Sequence, residues 1–248
     1  MGVGRIESRL LYTSREMPAN QMDAVRFQPA SDQSLLVYFG AKISLEAHER
    51  LRKLLWLLES EPVAGVRNLR PAYCSLLVTF DGLRLTHAEL EDALRGYIGR
   101  IEEASLPEPR EVVIPTCYGG EFGPDLEEVS TLHGITPAQA FELHASASYR
   151  VYFLGFVPGF AYLGELPEAL ATPRLATPRR IVPSGSVGIA GHQTGVYPFA
   201  TPGGWRLIGR TPVAMFRADR ANMSCLSIGD RVRFAPISAA EFAKMERR

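Results

Sequence analysis

The chain has little of several things that would narrow its function at once. Among its 248 residues only Cys74, Cys117 and Cys225 are cysteines, scattered and odd in number. With no C-x-x-C spacing they exclude a disulfide frame and fit a reducing, cytoplasmic setting. Formal net charge is zero, which argues against nucleic-acid binding through phosphate neutralisation. The longest uncharged, mainly apolar run, 151–164, is interrupted by Pro158 and glycines and is too short to span a bilayer. No secretory signal is visible beside Arg5 and Arg9. The patterns G-x-x-x-x-G-K-[ST], G-x-G-x-x-G and G-x-S-x-G are all absent, so neither a phosphate loop nor a nucleophile elbow is expected. The histidines show no paired metal spacing, and no metal site is expected.

One absence points towards a function. Residues 169–218 contain no Asp or Glu, yet hold Arg174, Arg179, Arg180, Arg206, Arg210 and Arg217. Guanidinium groups without carboxylate neighbours suit phosphate or carboxylate recognition. The plainer account is that Arg replaces Lys throughout, since Lys42, Lys53 and Lys244 are the only lysines.

What is present is ordinary for a globular chain with a real core, at 46% hydrophobic and 22% charged residues. Residues 1–23 lack periodicity and read as a flexible leader. Ser34–Phe39 reads as a strand, and Ser44 caps a helix with Ala47, Leu51, Leu54, Leu55 and Leu58 on one face. Trp56 falls off that stripe. Val66–Ala72 and Cys74–Phe80 read as strands, followed by a helix opened by the Thr86/Glu89 capping box. This βαββα order predicts a ferredoxin-like α+β domain over 24–105. YCSLLVTF lacks the Gly and aromatic spacing of an RNA-reading strand.

A composition change at ASLPEPR marks a boundary, and 106–240 is expected to form a mainly β domain. Asp125 with Glu128, and Thr136 with Pro137 and Gln139, signal two short helices. Strands at 150–156, 185–190, 206–208, 213–216 and 231–234 are spaced as in a closed antiparallel barrel. A short helix from Ala239 ends the chain, with 241–248 as its tail.

The densest stretch is 155–212, where Gly and Pro punctuate aromatic and β-branched residues, as in a site built on short strands. Gln193, Thr194 and Arg210 are the candidate catalytic residues. In G-H-Q-T-G the amide and hydroxyl either polarise a carbonyl oxygen or tie down a tight turn. Pro158, Phe160, Tyr162, Arg179, Ser186, His192, Tyr197, Trp205 and Arg206 are the candidate substrate-binding residues. The aromatics among them read equally as a wall or as core.

The motifs FLGFVPGFAYLGELP and TPRLATPRRIVPSGSVGIAGHQTGVYPFATPGGWRLIGRTP resemble the KipI family, also called allophanate hydrolase subunit 1. The resemblance covers about 25–240. It implies a ferredoxin-like domain followed by a cyclophilin-like barrel. It also implies a non-autonomous subunit of an ATP-dependent amidohydrolase, of the type that opens 5-oxo-L-proline to L-glutamate. Its expected partners are a sister C subunit of allophanate hydrolase subunit 2 type and an A subunit. ATP and magnesium would be held with partner residues, none of them tightly bound. The alternatives within the family are an inhibitor of a sensor histidine kinase and a urea carboxylase-type module.

Overall fold

A computed structural model describes residues 25–247; the expected leader over 1–23 lies outside them. The first half forms β1 (Arg26–Ser31), β2 (Ser34–Tyr38), α1 (Leu45–Ser60), β3 (Val66–Pro71), β4 (Ser75–Phe80) and α2 (His87–Gly99). Ser44 accepts from Ala47 N to cap α1, and Thr86 with Glu89 makes the full capping box on α2. Alternation decides the sheet face: Leu35 and Val37 of β2 and Leu76, Val78 and Phe80 of β4 point to one side. There they meet Leu51, Leu54 and Leu58 of α1 and Leu90 and Leu94 of α2. Each fully buried Leu there contributes about 1.5–3 kcal/mol relative to exposure.

The expected ferredoxin-like domain followed by a separate cyclophilin-like barrel is overturned. The sheet runs β1-β2-β4-β3, and no strand after α2 joins it. The edge that a βαββαβ unit fills with its last strand is taken by β1, hairpinned to β2 with Arg26 opposite Tyr38. The two halves also touch one another. Ile228 of the second half packs into the first core. The His48 and Tyr152 rings lie 4.6 Å apart, and Tyr73 meets Phe153 edge-on at 4.8 Å. Arg52 of α1 lies over Gly229, whose φ is 85° and where a Cβ would come within 2.3 Å of the guanidinium. The left-handed backbone favours glycine there, and a Cβ would displace the Arg52 guanidinium.

The second half holds β5 (Glu111–Tyr118), α3 (Leu126–His133), α4 (Pro137–Ser146), β6 (Tyr149–Leu154), β7 (Ala161–Gly164), β8 (Arg179–Val182) and β9 (Ser186–Ala190). It continues with β10 (Gln193–Val196), β11 (Thr201–Gly203), β12 (Arg206–Arg210), β13 (Arg231–Pro236) and α5 (Ala239–Glu246). Seven strands close a barrel in the order β10-β7-β6-β13-β5-β12-β9. The expected closure is present, but β13 and β5 run parallel, from Arg231 opposite Glu111 to Pro236 opposite Thr116. Ile114, Val151, Leu163, Val187, Ile189, Val196, Ile208 and Phe234 fill the core together with Leu126 and Val129 of α3. The expected strand at 213–216 is only an isolated bridge between Phe216 and Ser224. β8 and β11 pair with each other outside the barrel.

Candidate active site

The turn-rich stretch builds a cleft from three elements. Between β6 and β7 the loop is closed by hydrogen bonds from Gly155 N to Phe160 O and from Phe160 N to Val157 O. Phe156 sits in it at φ 69°, exposed, with its ring edge-on to Phe160 at 5.7 Å. Along β7 the side chains alternate, so Leu163 enters the core while Tyr162 faces outward. Tyr162 and Phe160 meet the Trp205 ring at 5.9 and 5.4 Å. β11 closes over Tyr197 because Gly203 has no side chain: a Cβ there would lie 2.5 Å from the Tyr197 hydroxyl.

The result is an aromatic cleft of about 250 Å³, with Phe160, Tyr162, Tyr197 and Trp205 as walls and Arg174 and Pro178 at its side. The Arg174 guanidinium lies 6.0 Å from the Trp205 ring centre. Among the described residues no carboxylate lines this cleft. Burial pushes the Tyr162 and Tyr197 phenols up, so both are neutral hydrogen-bonding groups near pH 7.

Three of the other arginines are held by partners, which revises the field expected from the segment's own composition. Arg179 is held by Asp125 at 2.5 Å, and Arg206 pairs with Glu128 beside α3. Arg210 donates to the Ser184 carbonyl at 2.9 Å and lies over the Phe242 ring of α5. Carboxylates missing from 169–218 are thus supplied from 125–128. Arg174 is the cation lining the cleft, a residue whose only sequence signal is its carboxylate-free surroundings in TPRLATP.

A second cleft of about 290 Å³ opens at the junction of the two halves, lined by Ile43, Ser44, Tyr73, Tyr152, Leu166 and Gln193. Glu165 and His192 stand at it too, with His192 Nδ1 3.2 Å from Glu168. Tyr73 comes from the hairpin between β3 and β4, and its ring lies 6.1 Å from Tyr162 of the first cleft. The sequence places Tyr73 between two expected strands and gives it no role, because a contact across 89 positions of chain leaves no local trace.

The sequence candidates therefore divide. Phe160, Tyr162, Tyr197 and Trp205 come together in the aromatic cleft, and His192 and Gln193 in the junction cleft. Pro158 is exposed on the loop, and Ser186 is buried within β9. Thr194 is not presented from a turn: it lies within β10 and is fully buried. Its hydroxyl donates to Gly188 O at 3.0 Å and is 2.9 Å from His144 Nε2. With that proton committed, Thr194 accepts from His144 Nε2–H, which leaves Nδ1 to accept from Tyr118 at 2.7 Å. Burial pushes His144 down to about 3, so this chain of hydrogen bonds stays neutral. These bonds anchor Thr194 in the barrel interior.

The chain belongs to the carboxyltransferase domain family, subdomains C and D, whose model matches residues 25–226. Among its relatives, it is 38% identical to the 5-oxoprolinase B subunit of Bacillus subtilis over 230 residues, 88% of this chain and 96% of that protein. It is 57% identical to the 5-oxoprolinase B subunit of Escherichia coli O157:H7 over 134 residues, 54% of this chain and 62% of that one. The solved structure of TTHA0988 superposes with a TM-score of 0.74 at 38% identity over 84% of this chain, which spans 40% of that longer chain. No helix among the described residues is long and apolar enough to cross a membrane.

Proposed function

We propose that this chain is the B subunit of a 5-oxoprolinase, which opens 5-oxo-L-proline to L-glutamate at the expense of ATP together with a sister C subunit and an A subunit. The observation that carries the reading is the 38% identity to a 5-oxoprolinase B subunit across 96% of that protein's length. The aromatic cleft supports it. Flat apolar walls suit a small ring, and one guanidinium without a competing carboxylate suits a substrate bearing a single carboxylate.

The work of this chain's residues is binding and orientation. Phe160, Tyr162 and Trp205 enclose the ring and exclude water, and Arg174 fixes its carboxylate end. The residues do not suit a nucleoside triphosphate: among the described residues the cleft has one cation, and the sequence has no glycine-rich phosphate loop. Among the described residues no three His, Cys, Asp or Glu side chains gather as a metal ion would require. ATP, magnesium and the base that activates water are accordingly assigned to the sister subunits. The test is reconstitution. The chain purified with its C and A partners is expected to hydrolyse ATP only when 5-oxo-L-proline is added, and the chain alone is expected to be inactive. A complete mixture without 5-oxoproline-dependent hydrolysis overturns the reading.

A further inference from the structure

The loop between β6 and β7 puts its backbone strain on one residue. Val157 N donates to Gly155 O at 2.9 Å, which makes a three-residue turn centred on Phe156, and the φ of Phe156 is 69°. This is the γ-turn of the rare, strained hand. Among the described residues Phe156 is the one non-glycine residue with a positive φ, although glycines stand at 155 and 159 in the same loop. The conformation is imposed from both ends. Gly155 lies against the Phe153 ring, where a Cβ would be 3.4 Å from it, and that ring stacks on Tyr162 at 4.4 Å. Gly159, at φ 82°, sits so close to Phe216 that a Cβ would come within 2.7 Å of that residue's own Cβ. Packing does not account for the Phe156 side chain. It is 60% exposed, and among the described residues its ring contact is with Phe160, edge-on at 5.7 Å. Phe156 nonetheless lines the aromatic cleft together with Phe160, Tyr162 and Trp205.

We propose that Phe156 is a substrate-contacting residue, its phenyl group a further wall of the aromatic cleft that the strained turn holds in place for a small ring to pack against. A glycine would relieve the turn, so the phenyl group is held there at a cost to stability, as groups that serve binding often are. Its exposed apolar area is of the kind that a small ring bound against Phe160, Tyr162 and Trp205 would cover, removing apolar surface of both partners from water. Because the backbone sets the position of the ring, binding has less side-chain freedom left to remove. The proposal deepens the reading of the chain as a 5-oxoprolinase component and rests on it.

The reconstituted three-subunit complex tests it with 5-oxo-L-proline as the probe. Phe156→Gly removes the ring and relieves the turn. Its KM is expected to rise about fivefold or more with kcat nearly unchanged, while its thermal midpoint stays level or rises. Phe156→Ala removes the ring but keeps the strained turn, so its KM should match that of Phe156→Gly at a lower thermal midpoint. Phe156→Tyr restores a ring and should return KM to near the wild-type value. With an active wild-type complex, an unchanged KM in Phe156→Gly overturns this inference alone. So does a raised KM that only accompanies a large fall in thermal midpoint, which would make the ring a packing group. Failure of the Phe156→Gly chain to co-elute with its sister subunits also overturns it, because Phe156 would then be a subunit contact. Wild-type complex without 5-oxoproline-dependent turnover overturns both this inference and the reading beneath it.

Discussion

At the residue scale the clefts are defined by which charged groups have been paired elsewhere. Arg179 and Arg206 are tied to Asp125 and Glu128, and Arg210 to a backbone carbonyl, while Arg174 lines the aromatic cleft. Arg174→Ala should therefore raise KM for 5-oxo-L-proline in the complex by about tenfold to a hundredfold, with thermal stability nearly unchanged because the side chain is exposed. Arg179→Ala should do the reverse, lowering stability before it alters KM. A second residue-level consequence concerns pH. Burial, with the Arg52 charge beside it, pushes His48 down to about 4, and burial pushes His144 down to about 3, each from 6.5. Both are neutral in the fold while the unfolded chain takes up protons near 6.5, so their contribution is complete above that pH. It is lost as pH falls towards 4 and 3, by a few kcal/mol for each group. Urea midpoints measured from pH 7 down to pH 4 should show this loss, and a His144→Phe variant should show a shallower slope.

At the element scale, sequence signals are reliable where the partner is local. Ser44, Thr86, Thr136 and Ser238 all accept from the backbone three residues on, and the last three form complete capping boxes. Asp125 shows where such reading stops. It stands at the N-terminus of α3 as expected, but makes no cap bond and sends its carboxylate to Leu207 N and Arg179. Those partners are more than 50 residues away and leave no spacing to read. Thr136→Ala should then cost about 1 kcal/mol, as a cap does. Asp125→Ala should cost about 3 kcal/mol or more, because it strands a partly buried guanidinium and a buried N–H. Denaturant midpoints of the two variants compared at equal m-value check the ranking. The missed strands have the same cause. β10 resembles a turn in sequence because Gly191 precedes it and Gly195 lies within it, yet Gly191 alone turns at φ 54°, and Gly195 is glycine because a Cβ would lie 2.9 Å from Ala161 O. β1 carries Pro29, tolerated because among the described residues no strand lies beside its other edge.

At the scale of the whole molecule, barrel closure is legible from regular short strands, while the parallel β5–β13 pair and the order of the first sheet are not. Both depend on which distant strand arrives at an open edge, which periodicity does not encode. The junction between the halves is invisible for the same reason, though it sets one wall of the second cleft. It is carried by Arg52 over Gly229, Ile228 in the first core, and the His48, Tyr73, Tyr152 and Phe153 rings. Contacts of that number and burial should make the two halves unfold together. The two tryptophans report on this separately, since Trp56 is on α1 and Trp205 is in the barrel. Single-tryptophan chains, Trp56→Phe and Trp205→Phe, should give coincident fluorescence melts once each is referred to its own circular-dichroism midpoint. Adding Arg52→Ala removes a nearly buried cation whose charge faces Glu49 and Asp230, and leaves a gap over Gly229. The two fluorescence transitions should then separate, with the α1 reporter melting first. Coincident melts in the Arg52→Ala background would show that the ring contacts alone couple the halves.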